Sequence, residues 1–157
     1  MDRFVDIAAT HRLYEELFLR HQEALLAGDT ARARQRFDTY RGLLAHHAAL
    51  EEQHLLPLYE RAGPIQGGAP VMYSGEHGKI DRFLERIGRA LATLAGPRDR
   101  IALFDLEARL KGLLEHHFDR EETLLFPTVG EVATDAERRA ALGPFADEQA
   151  RLRALLW

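Results

Sequence analysis

HHAALEEQHLLP, the stretch from His46 to Pro57, returns seventy residues later as HHFDREETLLFP, from His116 to Pro127. The two copies are identical at six of their twelve positions, which are both histidines, both glutamates, one leucine and the final proline. Each copy places its second histidine four residues before its first glutamate. On an α-helix this spacing puts an imidazole and a carboxylate on one face, about 40° apart. The repeat therefore predicts two helices that each present a metal-chelating pair.

The composition restricts the classes of function that this chain can have. With 157 residues and 46% hydrophobic content, residues 1–157 form one domain that can bury a full core. The 21 basic and 25 acidic residues are interleaved and give a net charge of −4, which argues against a nucleic acid as partner. Cysteine is absent, so thiolate metal sites and disulfides are excluded, and any metal is held by nitrogen and oxygen.

Membrane association is not expected either. The chain has no apolar run close to the roughly 20 residues that a membrane-spanning helix needs. The N-terminal residues MDRFVDIAATHR carry charges where a signal peptide would be apolar. We therefore expect a cytoplasmic protein.

Helical periodicity runs through the whole chain. Apolar residues recur three or four positions apart, and glycine or proline ends each run. The predicted helices span about 3–27, 30–62, 71–95, 98–129 and 135–156; the last is amphipathic, and Gly143-Pro144 is a point where it can break. The Gly/Pro-rich segment 63–70 joins two similar halves. The sequence predicts an all-α protein, with an antiparallel up-down-up-down four-helix bundle over about 3–130 and an extra C-terminal helix.

Two single histidines extend the repeat. His11 precedes His47 by 36 residues and His77 precedes His117 by 40, so each half of the chain reads as His followed by His-x-x-x-Glu. In a bundle the six groups can converge, and their imidazoles and carboxylates suit a pair of iron ions, with manganese and zinc also compatible. Charged surface helices are the competing interpretation, but two matched copies with phased histidines argue against it. The predicted metal ligands are His11, His47, Glu51, His77, His117 and Glu121.

These residues resemble those of the hemerythrin-like, or HHE cation-binding, domains. The resemblance covers about residues 5–130 and rests on the six predicted ligands and the Glu-Glu-x-x-Leu-Leu/Phe-Pro endings of both copies. It implies a non-haem di-iron centre, bridged by the two carboxylates and an oxygen species, with an open iron position for dioxygen or a related small molecule. It further implies that His11 and His47 serve one iron, that His77 and His117 serve the other, and that the two glutamates bridge.

One position departs from the family pattern. Hemerythrins proper carry a fifth histidine four residues before the one that matches His77, and this chain has Tyr73 there. If the helix is formed at that point, Tyr73 shares a face with His77 and is a candidate phenolate ligand, which would favour ferric iron. Ser74 and Gly75 weaken that helix, however, and Tyr73 then only lines the pocket.

Other polar residues near the repeat are assigned by their helical positions. We expect His46 and His116 at the rim of the site, Glu52 and Glu122 in solvent, His21 on the surface, Glu76 directed away from the site and Tyr40 in the core. His54 follows His47 by seven residues on the same face. It either reaches the pocket as a proton donor or packs in the core.

Three functions fit these observations. The first is a di-iron protein that binds dioxygen, peroxide or nitric oxide for sensing, buffering or the response to oxidative stress. The second is a catalytic di-iron oxidase or peroxidase-like enzyme. The third is an interaction module that metal stabilises, whose C-terminal helix docks on a partner protein or on a second copy of the chain.

Overall fold

The computed structural model describes residues 1–156 and consists of helices and short connections. A 3₁₀ turn at Phe4–Ile7 leads into α1 (Ala8–Leu26), α2 (Thr30–His54), α3 (Leu56–Glu60), α4 (Pro70–Ala92), α5 (Pro97–Arg120), a π-helical turn (Glu121–Leu125), α6 (Phe126–Val132) and α7 (Asp135–Leu156). The described residues contain no strand, and helix packing forms a bundle, which confirms the predicted fold class. None of the helices in this range is long and apolar enough to cross a membrane. The cytoplasmic location stays a prediction.

The two copies of the repeat accommodate their prolines differently. In the first copy, the helix predicted at 30–62 is interrupted at Leu55, because Pro57 has no backbone N–H with which to continue the hydrogen-bond ladder. In the second copy, the chain stays helical by widening into the π-helical turn, where Phe126 donates its N–H to the carbonyl of Glu121. The first irregularity begins four residues after Glu51 and the second begins at Glu121 itself, so in each copy the backbone departs from a regular α-helix near a candidate metal ligand.

The start of α4 is fully helical despite its weak sequence. Pro70 occupies the first turn, where its missing N–H costs nothing, and Ser74 and Gly75 lie within the helix. Tertiary packing outweighs their low propensity, because Tyr73 and Ile80 are buried on the same helix. Tyr73 and His77 are therefore on one continuous helix, which was the condition for treating Tyr73 as a ligand.

A polar layer separates two apolar clusters in the core. The larger cluster runs along the bundle and includes Phe18, Phe37, Tyr40, Leu84 and Leu110. The smaller one lies at the end where the repeated prolines are and includes Ile7, Leu55, Tyr59, Tyr73, Phe126 and Phe145. Leu44 on α2 belongs to the larger cluster and Leu55, just after α2, to the smaller, and His47 and Glu51 lie between them along the chain. The candidate ligands are thus shielded from water on both sides.

The helix α7 packs on α1 and α2 of its own chain. Its apolar residues Leu142, Phe145, Leu152 and Leu156 are buried, and the helix is continuous through Gly143 and Pro144, so the break considered there does not occur. The apolar face of this helix, which was predicted to dock on a partner, is therefore packed against its own chain. A contact of α7 with another protein or a second copy stays a prediction.

Candidate metal centre

The six predicted ligand residues meet in the polar layer as two overlapping groups. The first group is Glu51, His77, His117 and Glu121, and the second is His11, His47 and Glu51. Within each group, every residue offers a ligand atom within 4.8 Å of the others. All six are buried except His77, which is partly accessible. Four helical segments thus bring together side chains from four distant parts of the sequence, and metal ligation by them stays a prediction.

Glu51 and Glu121 each contact histidines from both halves of the chain. We call His11 and His47 the first pair, and His77 and His117 the second pair. Glu51 lies 3.1 Å from the Nε2 atoms of both His47 and His77. Glu121 lies 2.8 Å from Nε2 of His117 and 3.4 Å from that of His11. Both carboxylates therefore span the space between the two pairs, as bridging ligands must.

The opposite ring nitrogen of each histidine meets another carboxylate. The four Nδ1 contacts are His11 to Glu122 at 2.9 Å, His47 to Glu148 at 2.8 Å, His77 to Glu52 at 2.8 Å and His117 to Glu76 at 2.9 Å. We call these four glutamates the outer carboxylates. When Nδ1–H donates to such a carboxylate, the lone pair of a neutral imidazole is left on Nε2, which faces the centre. This arrangement is the usual support of a metal-binding histidine.

The unpaired atoms in the layer fit a pair of cations. Oε1 of Glu51 and both carboxylate oxygens of Glu121 are buried, and in the described part of the chain they have no hydrogen-bond partner apart from the nearby Nε2 atoms of the histidines, which are candidate ligand atoms themselves. Such groups are costly in a protein interior unless something charged satisfies them. Two ligands that share a metal at about 2.1 Å lie about 3.0–3.4 Å apart, and the Nε2 to oxygen distances fall near this range. Nitrogen and oxygen donors without sulfur suit iron, manganese or zinc.

The carboxylates of the centre favour positive charge on the groups beside them. Burial lowers the pKa of His47, but the charge of Glu51 and hydrogen bonds to carboxylates outweigh it and hold the pKa well above its usual value. In the same way, burial lowers and the neighbouring glutamates raise the pKa of His77, to about 10. Burial raises the pKa of Glu51, but the His47 charge and its hydrogen bonds leave it well below normal. In the metal-free protein, protons therefore supply the charge that cations would supply.

Three glutamates next to the predicted ligands were assigned wrongly or incompletely. Glu76 was expected to point away, but it is buried, contacts Nδ1 of His117 and lies 3.0 Å from Arg120. Glu52 is exposed and Glu122 partly exposed, as predicted, yet each bonds a histidine of the opposite half. A helical residue 100° from the ligand face can still reach a neighbouring helix, because a glutamate side chain is long.

Glu148 was missed altogether. It lies on α7, is 1% exposed, bonds His47 and accepts a hydrogen bond from the hydroxyl of Tyr14 at 2.7 Å. The sequence did carry a signal: Glu148 follows Phe145 by three residues and precedes Leu152 by four, so it occupies an apolar face. A charged residue at such a position has a buried partner more often than not.

His21 is the clearest error, since it was expected on the surface and is fully buried. Its Nε2 lies 2.7 Å from Glu107, which is also fully buried, and its Nδ1 lies 2.8 Å from the carbonyl of Ala33. Gln22 donates to the second oxygen of Glu107 at 2.8 Å. All polar atoms of this network are satisfied, so it holds α1, α2 and α5 together away from the metal centre.

The remaining predictions from helical position have different outcomes. Tyr40 is buried in the core, as predicted, and His46 and His116 are exposed. His54 is half-buried at the last residue of α2, and among the described residues no hydrogen bond or ion pair joins it to the six candidate ligands. Its role as a proton donor stays a prediction.

Tyr73 is fully buried, and its hydroxyl has no hydrogen-bond partner among the described residues. Its ring packs edge-on against that of Tyr59, with the centroids 5.5 Å apart. Burial, then Tyr59 and the charge of Glu121, raise the pKa of Tyr73. A neutral hydroxyl is therefore expected in the metal-free protein, and ligation by Tyr73 stays a prediction.

Known proteins resemble this chain over more than half of its length. The model of the hemerythrin HHE cation binding domain matches residues 71–156, which is more than half of the chain. Uncharacterized proteins of Mycobacterium bovis and Mycobacterium tuberculosis H37Rv are each 32% identical to it over 109 residues, covering 68% of this chain and 42% of theirs. The chain thus spans less than half the length of these curated relatives. No solved structure matches the chain.

Proposed function

This chain belongs to the hemerythrin HHE cation-binding domain family, and we propose that it is a non-haem di-iron protein that binds dioxygen or a related small oxidant, such as peroxide or nitric oxide. Its role would be to sense or buffer oxidative chemistry or to serve in the response to oxidative stress. The observation that carries the proposal is the contact of each buried glutamate with one histidine of each pair. Two cations held between the pairs would share both carboxylates.

The side chains would hold the metal through Nε2 of the four histidines and through Glu51 and Glu121. The outer carboxylates fix each ring and its tautomer, and they increase the electron density that the imidazole donates. That donation favours an oxidised metal, which suits a centre that reacts with oxidants. Iron, when bound, supplies a redox-active position at which a small oxygen-containing molecule binds. Manganese and zinc suit the same donors, so the identity of the metal is part of the proposal.

The apolar layers above and below the centre support the same function. The ring of Phe118 stacks on that of His11, with centroids 3.9 Å apart, and the tilted ring of Phe126 lies 5.7 Å from it. Such walls keep water away from the ligands and strengthen the electrostatic interactions between them. A small uncharged molecule enters this environment more easily than an ion does.

Tyr73 is a proposed further ligand. Its hydroxyl is buried without a partner, and it precedes His77 by four residues on the same helix, so a metal would satisfy it. The alternative is that Tyr73 lines the pocket and leaves a metal position open. A broad visible absorption band that is lost in Tyr73→Phe would establish ligation, and a spectrum that is the same in both proteins would establish the alternative.

Metal analysis of two matched double variants tests the proposal. His47→Ala with His117→Ala removes one candidate ligand from each pair, and His46→Ala with His116→Ala removes the adjacent, exposed histidine of each repeat. We expect about two iron ions per chain in the wild-type protein and in the second variant, and few in the first. Equal iron content in both variants, or none in the wild type, would contradict the proposal.

Peroxide turnover separates binding from catalysis. A reversible change of the absorption spectrum that saturates at about one equivalent of oxidant per centre supports the binding function. Steady consumption of peroxide without loss of iron would instead make the protein a peroxidase-like enzyme, the second function considered from the sequence.

A further inference from the structure

A cavity of about 380 Å³ opens between α2 and α4, directly beside the candidate metal centre. Four of the six candidate ligands contribute to its lining: His47, Glu51, His77 and His117. A molecule in this cavity would therefore contact the centre itself.

The cavity exists because both helices carry small residues where they face each other. These residues are Ala45, Ala48 and Ala49 on α2 and Ser74 and Gly78 on α4. A Cβ added at Gly78 would meet only the guanidinium of Arg82, at 3.6 Å, which is ordinary contact with a flexible side chain. Short side chains on both helices thus leave an opening where larger ones would fill the bundle.

The cavity is larger than dioxygen or peroxide requires. An apolar cavity of about 150 Å³ is enough to hold benzene. By the same proportion, about 380 Å³ accommodates roughly ten to fifteen non-hydrogen atoms. A cavity of this size has room for an organic molecule beside the centre.

The walls define the chemical class of that molecule. Leu44, Ile80, Leu84, Leu114 and Phe118 form the interior. The two acidic residues at the opening are already paired, Glu52 with His77 at 2.8 Å and Asp81 with Arg41 at 3.8 Å. Glu51 and the three lining histidines are charged groups too, and they are paired with one another or with Glu121. No charge of the lining is therefore left for a ligand to neutralise, and a neutral, largely apolar molecule fits best.

The groove between α1 and α5 provides a contrast. It is lined by charged residues, including Arg12, Glu15, Glu16, Lys111 and Glu115, and by none of the six candidate ligands. Apolar walls and access to the centre occur together in the cavity between α2 and α4.

We propose that this cavity binds a neutral, largely apolar organic molecule of roughly ten to fifteen non-hydrogen atoms next to the metal centre. Binding itself requires only the fold, whereas the position beside a reactive centre rests on the proposed function. The bound molecule would lie where the centre could act on it or where it could block access of a small oxidant.

Binding of indole and of 2-naphthol, both neutral at pH 7, tests the proposal by calorimetry on the full chain. Gly78→Leu places a side chain in the cavity, and Gly75→Leu makes the same change on an exposed part of the same helix with no atom near the new Cβ. We expect Gly78→Leu to weaken binding of the probes at least tenfold and Gly75→Leu to leave it unchanged. If neither probe binds the wild type, or if both variants bind alike, the proposal is overturned.

Two further measurements make the result specific. Ala48→Leu fills the cavity from the opposite helix and replaces Gly78→Leu if that variant does not fold. Indole-3-acetate adds a negative charge to the same ring, and we expect it to bind at least tenfold more weakly than indole. Equal affinity would overturn the assignment to neutral ligands.

Iron content measured on the same samples separates this inference from the proposed function. If two irons are present and no probe binds, the cavity proposal is wrong and the di-iron proposal stands. If the probes bind and respond to Gly78→Leu in a protein that takes up no iron, the binding site stands and the di-iron function is wrong.

Discussion

The two histidine pairs are related by a sequence repeat, yet their outer carboxylates have different origins. His117 of the second pair is supported by Glu76, the residue just before His77. The matching residue of the first half is Thr10, just before His11, and its short side chain accepts a hydrogen bond from Gln149 instead. His47 takes its carboxylate from Glu148 on α7, outside the repeated bundle.

The surroundings of these two carboxylates differ as well. Glu148 is 1% exposed and is bonded by the neutral hydroxyl of Tyr14, whereas Glu76 lies 3.0 Å from the cationic group of Arg120. The negative charge behind His47 is thus not balanced by an arginine, and the charge behind His117 is. The inner contact atoms are similar in the two halves while the groups that support them differ, so we expect the two metal positions to differ in affinity and redox preference.

Loss of Glu51 should have the largest effect, because this residue belongs to the ligand groups of both pairs. We expect Glu51→Ala to bind less than one iron per chain, since both positions lose an oxygen ligand. The control Glu52→Ala removes only the outer bond to His77 and should keep both irons, with affinity about 10–100-fold weaker at one position. Metal analysis after dialysis measures both.

Removal of Glu51 also takes the inner carboxylate from His47 and His77, which keep Glu148 and Glu52 as partners, and this costs about 1–3 kcal/mol of stability. Glu51→Gln keeps the shape and serves as the second variant if the alanine protein unfolds, as judged by circular dichroism. Two firmly bound irons in either variant would contradict the sharing of Glu51.

Acid should weaken metal uptake at both pairs. The pKa values of His47 and His117 are raised and that of His77 is about 10, so in the metal-free protein these imidazoles hold protons that metal must displace. We expect uptake to release protons, and the affinity to fall about tenfold per pH unit for each proton released as the pH is lowered from about 8 to 6. Proton release in weakly buffered solution measures this; no release would contradict it.

The stability of the metal-free protein should fall as the pH is raised above neutrality, whereas metal affinity should rise. A raised histidine pKa stabilises the fold fully below the unfolded value of 6.5, and for His77 this contribution is lost as the pH rises through about 10. The lowered pKa of Glu51 adds stability above its ordinary value of 4.5 that is lost in acid. Urea unfolding without metal should therefore show lower stability at pH 10 than near neutrality.

Neutralising the outer carboxylates Glu148 and Glu76 should weaken iron binding at the two pairs unequally. Glu148→Gln keeps the shape but has one acceptor oxygen where Glu148 uses two, for Tyr14 and His47, and it removes an unbalanced charge, so we expect one iron to be held about 10–100-fold more weakly. Glu76→Gln removes a charge that Arg120 already balances, and a loss of less than about tenfold is expected. Competition with a chelator measures both; equal losses would show that the supports are equivalent.

Arg120 should have the smallest effect. Arg120→Gln frees the charge of Glu76 to act on His117, so we expect iron at the second pair to bind a few-fold more tightly, about 0.5–1 kcal/mol. The same change should lower the reduction potential of that iron. Arg138→Gln is the control, since it removes an equal charge from an exposed pair with Asp135. Weaker binding in Arg120→Gln would contradict the role given to this residue.

Helical spacing was sufficient to predict which six side chains meet. The interval between His47 and Glu51, repeated at His117, fixes one face of each helix, and a four-helix bundle brings such faces together. The bundle is confirmed, and the structure places the six groups in one layer. Metal binding by them stays a prediction.

The outer carboxylates could not be predicted in the same way, because they depend on contacts between helices. Glu76 lies off the ligand face of its own helix and still reaches His117 on α5. Glu148 and Glu107 were detectable only as charged residues among apolar ones, and nothing in the sequence says which histidine each would meet. The interruption at Leu55 was likewise missed, since Pro57 was read as part of a continuous helix.

The position of Glu148 on α7 has a consequence for biosynthesis. A ribosome makes the chain from its N-terminus, so every other group of the centre, Glu122 included, is synthesised before Glu148. A nascent chain that ends after α6 already contains both histidines of the second pair and their outer carboxylates, while Nδ1 of His47 still lacks its acceptor. Metal loading during translation would therefore begin at the second pair and finish only when α7 docks.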